Sequence, residues 1–177
     1  MLLQGENVTP DPKTAPISLP PPRPKLRVEP WHDALIDEVG YDPRSDYVEA
    51  FWLPVLGPST TFLLRHFTIQ LMTSPDGLEL DIEETARSLG LGERLNQNSP
   101  FARTIKRCVD FEMAEWRGPR LLATRVRLPP LPRRHARRLP ASLLARYGDT
   151  WGTQVVSLLS EQAKDLPRDG TRARSHL

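Results

Sequence analysis

Apolar residues recur along this chain with two periods, and each period predicts its own kind of element. Phe62, Leu63, His66, Phe67, Gln70 and Leu71 return every three and four residues, which predicts a helix ending near Thr73. Pro58 suits its first helical position. Upstream, Ser45 or Asp46 can cap a helix through Val55 that carries Tyr47, Phe51 and Leu53, and Pro54 limits its regularity. Both helices read as core scaffold. Pro75-Asp76-Gly77 is a turn by composition, and the alternating Leu78-Glu79-Leu80 predicts a short strand.

The next stretch changes period twice. Asp81 caps a helix whose inward residues are Ile82, Ala86 and Leu89, with Glu84 placed as in a capping box. Gly90 closes that helix by supplying a positive φ. Ser99 caps a second helix and Pro100 opens it. There Phe101, Ile105, Cys108, Val109 and Met113 form an apolar stripe, opposite Arg103, Thr104, Lys106, Arg107 and Asp110. Phe111 to Trp116, Arg117-Gly118-Pro119-Arg120 and Leu121 to Leu128 then read as strand, turn and strand. Arg125 and Arg127 share one side of the second strand, with Arg117 and Arg120 at the hairpin tip.

Both ends lack any such period. Residues 1–28 hold clustered prolines and predict a disordered tail with polyproline II character. Trp31 to Ile36 fits either a helical turn or an extended arm. Leu128-Pro129-Pro130-Leu131-Pro132 is a stiff connector, followed by the basic run Arg133 to Arg138. That run either tracks phosphates beside the hairpin or is a solvated linker. Pro140 to Gln162 predicts one or two helices with Leu143, Leu144, Tyr147, Trp151, Val155, Leu158 and Leu159 as apolar positions. This stripe either caps the domain's own core or forms a homodimer seam. The expected organisation is therefore a tail (1–28), a folded domain (29–128), a basic linker with a helical extension (129–163) and a second tail (164–177).

Charge sharpens this picture more than composition does. The net charge of +2 conceals an acidic stretch from Glu29 to Glu84 and a run from Arg117 to Arg138 with eight arginines and no acid. Such asymmetry fits a polyanionic partner. Hydrophobic residues make up only 38% of the chain and 19 residues are proline, so it is not expected to fold throughout. A lone cysteine, Cys108, excludes an internal disulfide and reads as a buried, inert thiol. No apolar run approaches a membrane span, and no leader pattern opens the chain, so a cytoplasmic location is expected. The preponderance of arginine over lysine suggests a GC-rich, bacterial coding genome.

Catalytic chemistry is sparse. His32, His66, His135 and His176 are scattered, and there is no glycine-rich phosphate loop, zinc-binding HExxH or nucleophile elbow. Asp76, Glu79 and Asp81 lack the lysine that a nuclease cluster would place beside them. The expectation is a binding protein without enzymatic activity, metal or cofactor.

Ile82 to Leu91, Ser99 to Arg107 and the hairpin Trp116 to Leu128 together resemble the winged helix-turn-helix module of bacterial transcription regulators. That resemblance implies a mainly α fold with a small β-hairpin wing, joined here to a C-terminal helical extension and the disordered N-terminal tail. It also implies sequence-specific binding of double-stranded DNA in transcriptional control. Asn98, Ser99, Arg103, Thr104 and Arg107 would then lie near bases or phosphates, Lys106 on the backbone, and Arg117, Arg120 and Arg125 along the flanking groove. Gly92 to Asn98 departs from the pattern by being longer than the usual tight turn. The competing expectation is a protein-interaction module on the same fold. A replication or plasmid-maintenance protein is a third.

Overall fold

The sheet is organised around a strand hidden among prolines. In the computed structural model, which describes residues 24–92 and 96–149, β1 (Lys25–Pro30) takes second place in a four-stranded sheet ordered β2-β1-β4-β3. β2 (Leu78–Asp81) pairs antiparallel with β1, setting Leu26 opposite Leu80. β4 (Leu121–Thr124) runs parallel to β1, with Val28 opposite Leu122. β3 (Ala114–Gly118) completes the antiparallel hairpin with β4, and its register shifts between Trp116 and Gly118. Leu26 and Val28 alternate into the core, so Lys25 to Val28 belong to the domain, not to the expected tail. Residues 1–23 lie outside the described residues.

Local chemistry explains most helix boundaries. Asp33 caps α1 (Ala34–Val39) by accepting the Ile36 N–H, so the stretch from Trp31 leaves the strand and turns helical. The chain then winds through a π-helical turn, Val48–Trp52, into α2 (Leu53–Leu56). The wide turn directly precedes Pro54, whose ring would crowd the carbonyls of a regular α-helix. Gly57, at φ +82°, reverses the chain into α3 (Pro58–Thr73). α4 (Ile82–Ser88) starts on Asp81, which accepts the Glu84 N–H at 2.9 Å. α5 (Pro100–Asp110) starts on Ser99, which accepts the Ala102 N–H at 3.1 Å. Gly90 sits at φ +66°, as the turn after α4 requires.

One core joins these elements. α3 packs against α5 and β1. Leu63, Leu64 and Phe67 of α3 and Phe101, Ile105 and Cys108 of α5 are buried together with Val28 and Leu122. Burial pushes the Cys108 thiol up to about 12, so it stays a thiol at neutral pH. At Gly77, with φ +92°, an added Cβ would lie 2.7 Å from the Val28 carbonyl oxygen; the turn between α3 and β2 rests directly on β1.

Beyond the hairpin the chain folds back onto this core. Leu131 is clasped from both sides: its N–H donates to the Tyr47 hydroxyl at 2.9 Å, and its carbonyl accepts from the Tyr147 hydroxyl at 2.6 Å. α6 (Arg133–Ala136) and a helix over residues 141–149 follow. Tyr147 is buried and Leu143 packs against the core, while Leu144 is 43% exposed, so one side of the described part of the C-terminal stripe covers the domain's own core. Trp151, Val155, Leu158 and Leu159, the rest of the stripe for which core packing or a homodimer seam was expected, lie outside the described residues, as does the tail 164–177. The architecture is α/β, with a four-stranded sheet where a hairpin and one short strand were expected. Among the described residues no helix is long and apolar enough to cross a membrane.

Candidate nucleic-acid interface

α5 presents its outer crest to solvent. With Phe101, Ile105 and Cys108 facing the core, the 3.6-residue period turns Arg103, Lys106 and Asp110 outward. Arg103 is exposed, and its side chain makes no hydrogen bond or ion pair among the described residues. Lys106 donates to both oxygens of Asp110, at 2.7 and 2.8 Å, in an exposed i,i+4 pair. Such a pair is worth only about 0.3–0.5 kcal/mol and yields readily to a phosphate. Asn96, Gln97 and Asn98 precede the helix as an exposed polar run, with the Asn98 N–H bonded to the Asn96 side chain at 2.9 Å.

Several residues expected at this surface point elsewhere. Ser99 is buried and its hydroxyl caps the helix. Thr104 is buried, and its hydroxyl donates to the Pro100 carbonyl at 2.8 Å. Arg107 turns sideways: Nε and Nη2 donate to the Leu56 and Val55 carbonyls, each at 2.6 Å, and the guanidinium sits 5.0 Å from the Phe111 ring centre. Those carbonyls end α2 and have no helical partner, so a planar fork satisfies them well. Arg107 thus holds the α2–α3 corner against α5.

The expected cationic flap is likewise reduced. Arg125 is only 10% exposed; it bonds the Glu112 carbonyl and Asp33, and its guanidinium lies 3.9 Å from the Trp31 ring centre. Its charge locks the approach to α1 onto the hairpin and does not line a groove. Arg127 donates twice to the Gly40 carbonyl. At the hairpin end the cations are available. Arg120 is exposed with no side-chain partner among the described residues, and Arg117 forms an exposed pair with Glu115 at 2.7 Å.

Two open cavities flank α5, and the sequence had revealed neither. One, about 390 Å³, is walled by Leu26, Ile82, Phe101, Ile105 and the half-exposed Trp116, with Lys106 at its rim. It shows that the front of α5 and the hairpin share an edge. The other, about 380 Å³, lies between α5 and the start of α3, lined by Gly57 to Thr60, Arg103, Arg107 and Asp110.

The basic run lies against the C-terminal end of α5. His135 packs 5.2 Å from Phe111, the residue that ends α5, and 6.2 Å from Trp52. The run therefore sits at the opposite end of α5 from Ser99, roughly 16 Å away at 1.5 Å per residue. Desolvation, then the charges of Arg134 and Arg138, hold the His135 imidazole below its usual value; desolvation alone lowers His66. For a base lowered by folding, stability is complete above the unfolded value of about 6.5 and is lost as pH falls from there through the folded value, because the unfolded ring takes up its proton first. Urea midpoints should therefore fall as pH drops from 7 through 6, and the double variant His66→Gln/His135→Gln should flatten that decline. An equally steep decline in the variant would refute the assignment.

Comparison with protein-family models, with curated proteins and with solved structures finds no match for this chain, so its functional reading rests on geometry.

Proposed function

We propose that this protein binds double-stranded DNA through a winged helix-turn-helix-like module and acts in transcriptional control. The observation that carries the reading is the exposed crest of α5. Among the described residues the Arg103 side chain has no partner there and Lys106 is only loosely held, behind an exposed Asn-Gln-Asn run and beside a hairpin ending in Arg117 and Arg120. The order α4, glycine turn, α5, hairpin supports it. β1, wedged between β2 and the hairpin, is an addition that this order does not require. Direct contacts come from Asn98, Arg103, Lys106, Arg117 and Arg120. Ser99, Thr104, Arg107 and Arg125 shape the surface without reaching the duplex.

Neutralising about four phosphates predicts that log affinity falls against log salt with a slope of roughly −3 to −4. Arg120→Ala should make that slope shallower by about 1, with little change in melting temperature. A gel shift on genomic fragments measures both; salt-independent retention, or none, counts against the reading.

A second reading has its own support. The groove beneath Trp116 is apolar, and Trp116 is 50% exposed. A large half-exposed aromatic beside such a groove suits a protein partner. Trp116→Ala would abolish partner capture while sparing duplex binding if this surface serves an interaction module.

A further inference from the structure

We propose that residues 16–23 of this chain dock in the apolar groove beneath Trp116, as an intramolecular strap along the front of α5. The groove is walled by Leu26, Ile82, Phe101, Ile105 and Trp116, and Pro24 stands on the same wall. Pro24 is the first described residue. Its carbonyl accepts the Ile82 N–H at 3.1 Å, which fixes it beside the start of α4. Only Arg23 separates Pro24 from Pro22. Two residues span at most about 7 Å, so the preceding segment starts at the groove whichever way it then runs.

The chemistry of the segment matches that of the groove. Residues 16–23 read Pro-Ile-Ser-Leu-Pro-Pro-Pro-Arg. Polyproline II repeats every three residues, which sets Pro16, Leu19 and Pro22 on one wholly apolar face. At about 3.1 Å per residue that face is about 19 Å long, against about 16 Å for the 11 residues of α5. Pro-rich segments in this conformation bind aromatic-lined grooves, because their preset backbone loses little entropy on docking. Their carbonyls have no internal partners and call for donors. Trp116 is 50% exposed, and its indole N–H has no partner among the described residues. The exposed side-chain amides of Asn96 and Gln97 stand at the same groove.

Tethering makes a weak contact sufficient. A short link holds the segment at an effective concentration of about 1 mM. An intrinsic dissociation constant of about 1 mM then fills the groove about half the time, and one tenfold tighter fills it about nine-tenths of the time. A protein partner approaching Trp116 must first displace the strap. The inference does not rest on duplex binding, and its readouts need no DNA.

The test is 15N relaxation of the full chain. The amides of Ile17, Ser18 and Leu19 should have order parameters near 0.85, about that of folded backbone, where an undocked tail stays below about 0.6. Leu19→Asp puts a charge on the apolar face; it should drop Ile17 and Ser18 below about 0.6 and shift the Trp116 indole resonance. Thr9→Asp adds the same charge outside the segment and should do neither. Trp116→Ala should release the same amides with little change in melting temperature. All of these order parameters should survive tenfold dilution. Low order parameters in the parent chain, or ordered amides indifferent to Trp116→Ala, overturn the strap. Loss of order on dilution also overturns it and gives the groove to the tail of a second copy.

Discussion

Trp52→Ala should cost about 3–5 kcal/mol of unfolding free energy, the largest loss expected from any single side chain among the described residues. Trp52 is 1% exposed, at the end of the π-helical turn, and its indole N–H donates to the Pro129 carbonyl at 2.8 Å. Truncation removes the ring from a filled core, leaves a cavity, and takes away the donor to a partly buried carbonyl. Against a total stability of about 5–15 kcal/mol for an ordinary domain, this is a third or more. Trp52→Phe should recover most of the packing and lose only the hydrogen bond, about 1 kcal/mol. The two variants separate volume from polarity by urea titration. Hydrogen exchange gives a second readout: the amides of Leu131 and Leu139 should lose protection in Trp52→Ala, because Pro129 ties that returning segment to the core. A loss below about 1 kcal/mol in Trp52→Ala would show that the core closes around the gap.

How much of this was legible in the sequence follows from where each interaction lies along the chain. Elements whose determinants are local were readable. Asp81 and Ser99 cap the helices expected of them, Gly90 adopts the expected positive φ, and α3 spans the predicted stretch. β1 was not readable, because its partners are remote. Leu26 and Val28 show only two alternating apolar residues between Pro24 and Pro30, and their strand is stabilised by residues about 50 and 95 positions away. The arginines failed for a related reason. Sequence shows a guanidinium's charge and not its acceptor; Arg107 and Arg127 bond backbone carbonyls 52 and 87 residues away, and Arg125 bonds the Asp33 carboxylate 92 residues away as well as the Glu112 carbonyl. Arg103, Lys106 and Arg120 kept their expected exposure, and among the described residues none of their side chains bonds such a carbonyl. The cleft at Gly57 to Thr60 escaped notice since Pro58-Ser59-Thr60 announces only a helix start; what α5 brings opposite it is a tertiary fact.

Arg107 and Arg103, one helical turn apart, should therefore behave in opposite ways. Arg107→Ala removes two short, charge-assisted bonds to the last carbonyls of α2 and the contact with Phe111. Each such bond contributes about 1.5–3 kcal/mol, so a loss of about 3 kcal/mol is expected after water reaches the exposed part of the corner. Arg107→Lys should rescue little, since an ammonium cannot span both carbonyls in a plane. Arg103→Ala breaks no intramolecular bond among the described residues and should shift stability by no more than about 0.5 kcal/mol. Its effect belongs to binding, where loss of one phosphate contact makes the salt slope shallower by about 1. Measuring urea unfolding and duplex affinity for both variants, at a temperature where each is folded, tests the separation. Arg107→Ala should unfold early yet retain its salt slope while folded; Arg103→Ala should unfold normally and lose part of its slope. If the two exchange these behaviours, the division of the arginines into corner-holding and solvent-facing groups is wrong, and the crest of α5 loses its standing as the interface.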